Sequence, residues 1–220
     1  MTVADAITNI RRKLKDVSTD STQQTYSDGL LIDLIDEKCR NIWNYMLRVD
    51  PTYKLTKKEY TSVTDAVAGS DGELYTLPTD FLRFIACVWV NSGIRYPIEP
   101  RRDQNYLYGF RVVSSGRPIN CYLKENTIGF LPKPELVKTI ELWYSPKFTK
   151  LTATTGTIDS MILDYINMVY YYVTFMAFRI QNVESGLGDR FEMLYDREWD
   201  EFRKSVIARG DIKQYITLFR

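Results

Sequence analysis

TIDSMILDYINMVYYYVTFMAFRIQ, residues 157–181, repeats its apolar side chains every three or four positions: Ile162, Ile166 with Tyr165, Val169, Tyr172 with Val173, Met176 and Ile180. That period is the signature of a helix with one buried face. Thr157 or Asp159 can cap its start, since either side chain can accept a bond from a first-turn amide. The opposite face, Ser160, Asp164, Asn167, Tyr171, Thr174 and Phe178, is polar apart from two large rings. A helix serving one core has no use for Tyr171 and Phe178 in water. The pattern therefore reads either as a central core helix with aromatic filling or as one that also meets another subunit. Asp164, Asn167 and Arg179 interrupt the run too often for a lipid-spanning segment.

Other amphipathic helices flank this one on both sides. Val3, Ile7, Ile10, Leu14 and Val17 form a stripe near the start, with Arg11, Arg12, Lys13 and Lys15 expected on the solvent face. Residues 18–25 are polar and read as a loop. Ser27 or Asp28 caps a second helix with the stripe Leu31, Leu34, Ile35, Cys39, Ile42, Met46 and Val49, which Asp50-Pro51 ends because proline disfavours helical geometry in the residue before it. Asp36 and Arg40 can pair across one turn, worth ~0.3 kcal/mol on a surface. Asp33 with Asp36, and Asp196 with Asp200, read as solvated helix faces rather than paired catalytic acids. Beyond the central helix, residues 184–188 make a break and Asp189 caps a further helix carrying Phe191, Tyr195, Trp199, Phe202 and Val206, with Gly210 as its expected C-cap. The remainder, DIKQYITLFR (211–220), is apolar enough to bind something but too short to bury itself.

The pattern changes between these helical ends. KEYTSVTDAV and ELYTL flank the turn GSDG (69–72) and read as a β-hairpin. FIACVWV (84–90) is a continuous apolar run, hence a central strand or one buried on both faces. Asn91-Ser92-Gly93 turns it back into Arg95–Ile98. Residues 101–108 read as a short helix, and strands follow at 119–123, 127–131 and 137–143. Short, regularly spaced strands mean a small antiparallel sheet or barrel. The expected fold is therefore α+β: a helical bundle from both chain ends (1–52 and 153–209), an inserted β-rich domain (53–152) and a C-terminal docking tail (210–220). The apolar residues of that tail, Ile212, Tyr215, Ile216, Leu218 and Phe219, suit a segment that orders in a partner's groove.

Composition narrows the chemistry. The 220 residues include 45% hydrophobic and 26% charged side chains, ordinary for a folded globular chain, and the net charge of +1 sets up no global field toward nucleic acid or membrane. The charge is uneven: residues 92–150 hold 10 basic and 5 acidic side chains, while residues 1–91 and 151–220 each come to −2. Three separated cysteines, Cys39, Cys87 and Cys121, have no metal-ligand spacing and imply no disulfide framework, which fits a reducing compartment. There is no histidine at all, which removes the commonest general base, the commonest zinc ligand and every Ser-His or Cys-His pair. GSDGE and ESGLGD have the glycines of a phosphate loop but neither its lysine nor its preceding strand. No cofactor or metal, no membrane segment and no enzymatic activity are expected. Arg95, Arg101 and Arg102, with Tyr106 and Tyr108 close behind, form the best basic surface for a partner. They also leave open a DNA-binding accessory protein that uses the basic insert.

The order of motifs in the insert resembles a known family. GELYTLPTDFLR (72–83), SGRPINCYLKENTIGFLPKPE (115–135) and TIELWYSPKFTKLT (139–152), followed by a long helix, are similar to the head-to-tail adaptor proteins of tailed phages. Leu77, Pro78, Asp80, Phe81, Pro118, Gly129, Pro132, Pro134, Tyr144, Leu151 and Thr152 match the family's order, over roughly Leu30 to Phe202. The resemblance implies a virion protein of the head–tail junction, assembled in the host cytoplasm. It implies a dodecameric ring under the portal protein, with DNA passing through the central channel without sequence specificity. The helical part would dock on the portal, the β-part would face the next tail ring or nozzle protein, and the C-terminal segment would insert into a portal crevice. Tyr171 and Phe178 are then candidates for the contact between ring subunits. The basic insert departs from the acidic or neutral lining expected of a DNA channel, which places Arg95, Arg101 and Arg102 against a partner protein.

Overall fold

The computed structural model describes residues 1–16, 24–61, 65–68, 74–101, 115–134, 138–181 and 186–218, with side chains up to Arg209. The fold is mixed α+β, and the chain separates into two compact units: Met1–Asp50 with Phe148–Arg220, and Pro51–Lys147.

The first unit holds five helices among the described residues: α1 (Val3–Leu14), α2 (Asp28–Val49), α3 (Ser160–Leu163), α4 (Ile166–Ile180) and α5 (Gly186–Leu218). Reciprocal bonds between Thr2 and Asp5 start α1, and Lys15 ends it in the left-handed conformation. Arg11, expected in solvent, is instead buried. It pairs with Asp16 and Asp28 and donates to the Tyr26 carbonyl, so it ties the end of α1 to the start of α2. Val17 lies outside the described residues.

Ser27 caps α2 by accepting from the Leu30 amide. Its buried face carries the expected stripe through Met46, widened by Ile32, Trp43 and Leu47. Asp36 is buried rather than solvated. One oxygen pairs with Arg40 and the other accepts the Leu151 amide at 2.7 Å, so a carboxylate read as a surface charge holds a backbone segment 115 residues away.

The expected single helix over 157–181 is two. Asp159, not Thr157, caps α3 by accepting from the Met161 amide at 2.9 Å. The chain breaks at Asp164-Tyr165 before α4 begins. Ile162, Val169 and Val173 are buried as the period requires, and Phe178 is buried as a ring with no use for water, but Ile180 is 49% exposed and Thr174, on the face read as polar, is buried. The reason is that α4 packs against α1 and α2 and also against α5, so it is covered around most of its circumference. Gly210 does not end α5, which continues to Leu218. An interior glycine weakens a helix by ~1 kcal/mol relative to alanine, and nothing in the residues after it imposes a stop.

Among the described residues, the second unit is a mostly antiparallel sheet of seven strands. The strands are β1 (Thr56–Thr61), β2 (Leu74–Thr76), β3 (Phe81–Asn91), β4 (Ile94–Pro100), β6 (Asn120–Lys124), β7 (Thr127–Leu131) and β9 (Thr139–Pro146), ordered β1-β9-β3-β4-β6-β7-β2. β4 and β6 are the one parallel pair in it; β5 (Ser115–Gly116) and β8 (Lys133–Pro134) form a separate two-stranded ladder. β3 is central as expected, but it is buried mainly on one side, through Cys87 and Trp89. The β3–β4 turn places Ser92 at φ 51° and Gly93 at φ 81°, the paired left-handed conformations of a two-residue hairpin that follows strand twist.

Among the described residues the expected hairpin around GSDG shows the antiparallel bridge of Ala66 to Tyr75, with the Val67 amide donating to the Leu74 carbonyl at 2.8 Å, while β1 pairs with β9 and β2 with β7; residues 69–73 lie outside the described residues. The two edge strands nonetheless approach one another. The Tyr60 and Tyr75 ring centroids lie 5.4 Å apart, and the Tyr60 hydroxyl donates to the Thr76 carbonyl at 2.9 Å. The sheet is thereby curled almost into a barrel around Tyr60, Tyr75, Cys87, Trp89, Ile98, Cys121, Ile128, Phe130, Ile140, Leu142 and Tyr144. Gly129 sits beneath the Tyr122 ring on the neighbouring strand, where a β-carbon would fall 2.2 Å from Tyr122 Cζ.

The two ends of the Asp36–Arg40 pair are unequal. Asp36→Ala strands a buried amide and should cost about 2–3 kcal/mol. Arg40 is half exposed, so Arg40→Ala should cost less than about 1 kcal/mol. Urea denaturation of both variants measures the contrast.

Candidate interaction surfaces

Helix α5 is the element on which most of the expected partner residues depend. Aromatic contacts fix it to α2, α4 and the residue before α4. Phe191 meets Tyr171 and Phe178 at 6.2 and 6.3 Å, Tyr195 meets Tyr172 and Phe175 at 5.6 and 5.4 Å, and Phe202 meets Tyr165 and Tyr45 at 4.7 and 5.4 Å. Trp199 adds a contact to Tyr45 at 5.6 Å. Tyr171 and Phe178 thus have partners within the chain, and the Lys13 ammonium stands 5.0 Å above the Tyr171 ring. Phe178 is 8% exposed and Tyr171 half-buried. Their place on an otherwise polar face is explained by α5.

Lys38, which belongs to no motif in the sequence, stands at the centre of this seam. It is 2% exposed, and its ammonium lies 3.9 Å from the Trp199 ring centroid, 4.4 Å from Tyr195 and 5.2 Å from Tyr172. It also donates to the Tyr195 hydroxyl at 2.7 Å, while the Tyr172 hydroxyl donates to Glu37 at 2.8 Å. Burial pushes the Lys38 amine down to about 8, against an opposing pull from Glu37. The signal was present: Lys38 stands four residues after Leu34 and four before Ile42, on the buried stripe.

The last buried residue described on α5 is Val206; Ile207, Ala208 and Arg209 are exposed. The backbone remains helical from there to Leu218, about 18 Å at about 1.5 Å per residue. Ile212, Tyr215, Ile216 and Leu218 therefore belong to this helix, while Phe219 lies outside the described residues.

In the β-unit, the motif residues of the insert converge on one corner. The Tyr144 hydroxyl donates to Asp80 at 2.8 Å, the Phe81 and Tyr144 rings lie 5.6 Å apart, and Phe81 pairs with Pro146 in the β3–β9 register. The Lys147 amide donates to the Asp80 carbonyl at 2.6 Å. Leu-Pro-x-Asp-Phe and Tyr-x-Pro, 64 residues apart at Asp80 and Tyr144, are two halves of one structural corner. A family model described as SU10 adaptor protein matches residues 1–213. The chain belongs to the SU10 adaptor protein family. No curated protein matches it.

An SU10-family adaptor is a phage structural protein, a virion component that contacts other phage structural proteins. In this adaptor no helix among the described residues is long and apolar enough to cross a membrane, and no group of three or more potential metal ligands occurs among them. The family match takes in Ile212 and stops short of Tyr215, Ile216 and Leu218.

The basic surface of the adaptor is largely neutralised within the β-unit. Arg95 reaches Glu141 at 3.3 Å, and Lys57 approaches the same carboxylate at 3.5 Å. Burial alone would push the Glu141 carboxyl up, but these two cations outweigh it and hold it below the usual carboxylate range. Arg101 pairs with Glu99 at 3.3 Å and donates to Asn120 at 2.9 Å. Arg102, together with the short helix expected over 101–108, lies outside the described residues apart from Arg101.

Lys38 supplies a pH test. An unfolded lysine holds its proton to about 10.4. Between about 8 and that value the unfolded chain binds more protons than the native one, so stability rises with pH. Buried thiols and phenols work in the other direction, because their unfolded counterparts ionise first: burial pushes Cys39 up to about 12, a bond with Cys121 and burial raise Cys87, and both oppose the lysine from about 8.5, while Tyr195, held up at about 12 by burial, opposes it only above about 10. The lysine is therefore read as a difference: from pH 8 to pH 10 the melting temperature of the native chain should rise relative to that of Lys38→Met, and the variant should lose no stability at pH 7.

Proposed function

We propose that this adaptor is one subunit of a homo-oligomeric ring, a dodecamer by the family resemblance, that joins the phage portal to the tail and lets DNA through its centre. The observation that carries the reading is the helical extension of α5: a run past Val206 whose sequence, Ile212, Tyr215, Ile216 and Leu218, is apolar at helical spacing. A helix with apolar residues at intervals of three and four suits a hydrophobic groove, and groove binding is one of the recurrent ways in which one protein holds another. The docking element is thus a helix rather than an extended strand, with residues 1–52 and 153–209 as the helical part on the portal side. Residues 53–152 form the β-part toward the next tail ring. Tyr171, half-buried, is the better placed of the two rings to meet a neighbouring subunit.

The alternative, a DNA-binding accessory protein, loses support because Arg95 and Arg101 are engaged by Glu141 and Glu99. A phosphate backbone would have to compete with those carboxylates for each guanidinium.

Truncation after Gly210 should leave the melting temperature nearly unchanged, since the last described buried residue of α5 lies before the cut. It should abolish assembly onto the purified portal. A truncated chain that still assembles overturns the docking role of the extension. In sedimentation, the free protein at micromolar concentration should run as a monomer or weak associate and become a ring when the portal is added. A stable ring without the portal would contradict this order of assembly.

A further inference from the structure

Helix α5 is held on the helical unit differently from the helices beneath it. α2 buries eleven residues and α4 eight, whereas α5 buries only Phe202 and Val206 among its described side chains. Phe191, Tyr195 and Trp199 are half-buried, and Met193 is 74% exposed. α1 and α2 are tied down by bonds to backbone: the Val3 amide donates to the Gly156 carbonyl at 2.8 Å, and Asp36 accepts the Leu151 amide. Two polar links of α5 lie at the surface instead, Glu192 to Arg179 at 2.7 Å and the Ser205 hydroxyl to that of Tyr165 at 3.4 Å. Exposed links of this kind hold little. Lys38 supplies the buried polar contact of the seam, and its ammonium meets rings and the Tyr195 hydroxyl without a carboxylate in direct contact. Burial pulls its amine down to about 8, so docking works against the charge that the lysine carries in water. Elements with few buried contacts open locally, at free energies well below that of global unfolding.

We infer that α5 is a detachable strap: it leaves the helical unit as one piece while α1, α2 and α4 stay folded, bares Tyr171, Tyr172, Phe175 and Phe178 on α4, and returns Lys38 to water. The body outlasts the strap because α4 packs against α1 and α2 as well as against α5. Lys38 has a part in both states. Its cage admits one docked position, since three helices must meet to form it, and its hydration favours release. The docked form is the major one and gives the C-terminal extension a single direction. The undocked form is a minor state in which the extension is free of the body. The opening rests on the contacts of α5 alone, so it stands or falls apart from the portal reading, and its test uses no portal.

Amide hydrogen exchange of the full chain at pH 7 tests the strap. The amides of residues 190–206 should share one protection factor, at least about tenfold below those of α2 and α4. Lys38→Met replaces a buried charge with an apolar chain of similar length, and it should raise the protection of α5 at least about tenfold while leaving the sheet unchanged. Tyr195→Ala, which removes a wall of the cage from the α5 side, should lower the protection of α5 and leave the sheet as it was. Equal protection of α5, α2 and α4 in the native chain overturns the proposal. So does an unchanged or lower protection of α5 in Lys38→Met, because the ammonium would then hold the helix down. Protection that falls steadily toward residue 206 overturns it as well, since the helix would then fray from its end instead of leaving as one piece.

Discussion

A single buried ammonium sets where α5 lies. Removing a lysine from water is costly, and Lys38 recovers only part of that cost, through three ring faces and one hydroxyl rather than through a carboxylate in direct contact. Tyr195 and Trp199 lie on α5, Tyr172 on α4 and Lys38 itself on α2, so the cage can exist only when all three helices are in place. Two residues earlier on α2, Asp36 holds the Leu151 amide. One stretch of one helix thus fixes both the chain entering the C-terminal helices and the last helix itself. Everything proposed for the extension of α5 depends on that helix having a fixed direction as it leaves its last buried contact.

The sequence was a good guide wherever local pattern and tertiary environment agree. The stripes of α1 and α2, the Ser27 and Asp159 caps and the Asn91–Gly93 turn could be read because each rests on contacts within a few residues. It misled where a distant segment changes a residue's surroundings. Arg11 looks like one member of a basic run until Asp16 and Asp28 close over it. Thr174 reads as polar surface yet is buried and donates to the Tyr170 carbonyl, and Phe178 finds its cover in Phe191 of α5. Strand partners were the hardest feature: nothing in the residues of β1 says that it pairs with β9, some 80 positions later, instead of with the strand that follows it.

The interaction surfaces were legible to a similar degree. The apolar residues after Gly210 stand out by composition, but the glycine reads as a stop where the backbone goes on. Arg95 and Arg101 stood out by charge, and their neutralisation by Glu141 and Glu99 depends on strand register, which periodicity does not reveal. Lys38 does not stand out, because a lone cation on an apolar stripe carries no motif. It acquires meaning from the rings that meet it in three dimensions.

The division of the chain into units bears on the order in which they can form during synthesis. The unit spanning Pro51–Lys147 is continuous in sequence, so all its strands are available once Lys147 has left the ribosome. The helical unit is interrupted: Asn9 on α1 donates to the Tyr170 hydroxyl on α4 across 161 positions, and Lys38 waits for Tyr195 and Trp199. Domains fold as units as they emerge, and contacts of long sequence separation form late. The first two helices are therefore translated early but lack their partners while the sheet forms, and their apolar stripes stay uncovered until the chain is nearly complete. That interval, set by the position of the insert, is the period when a nascent adaptor is most exposed to chaperones, to proteases and to its own copies.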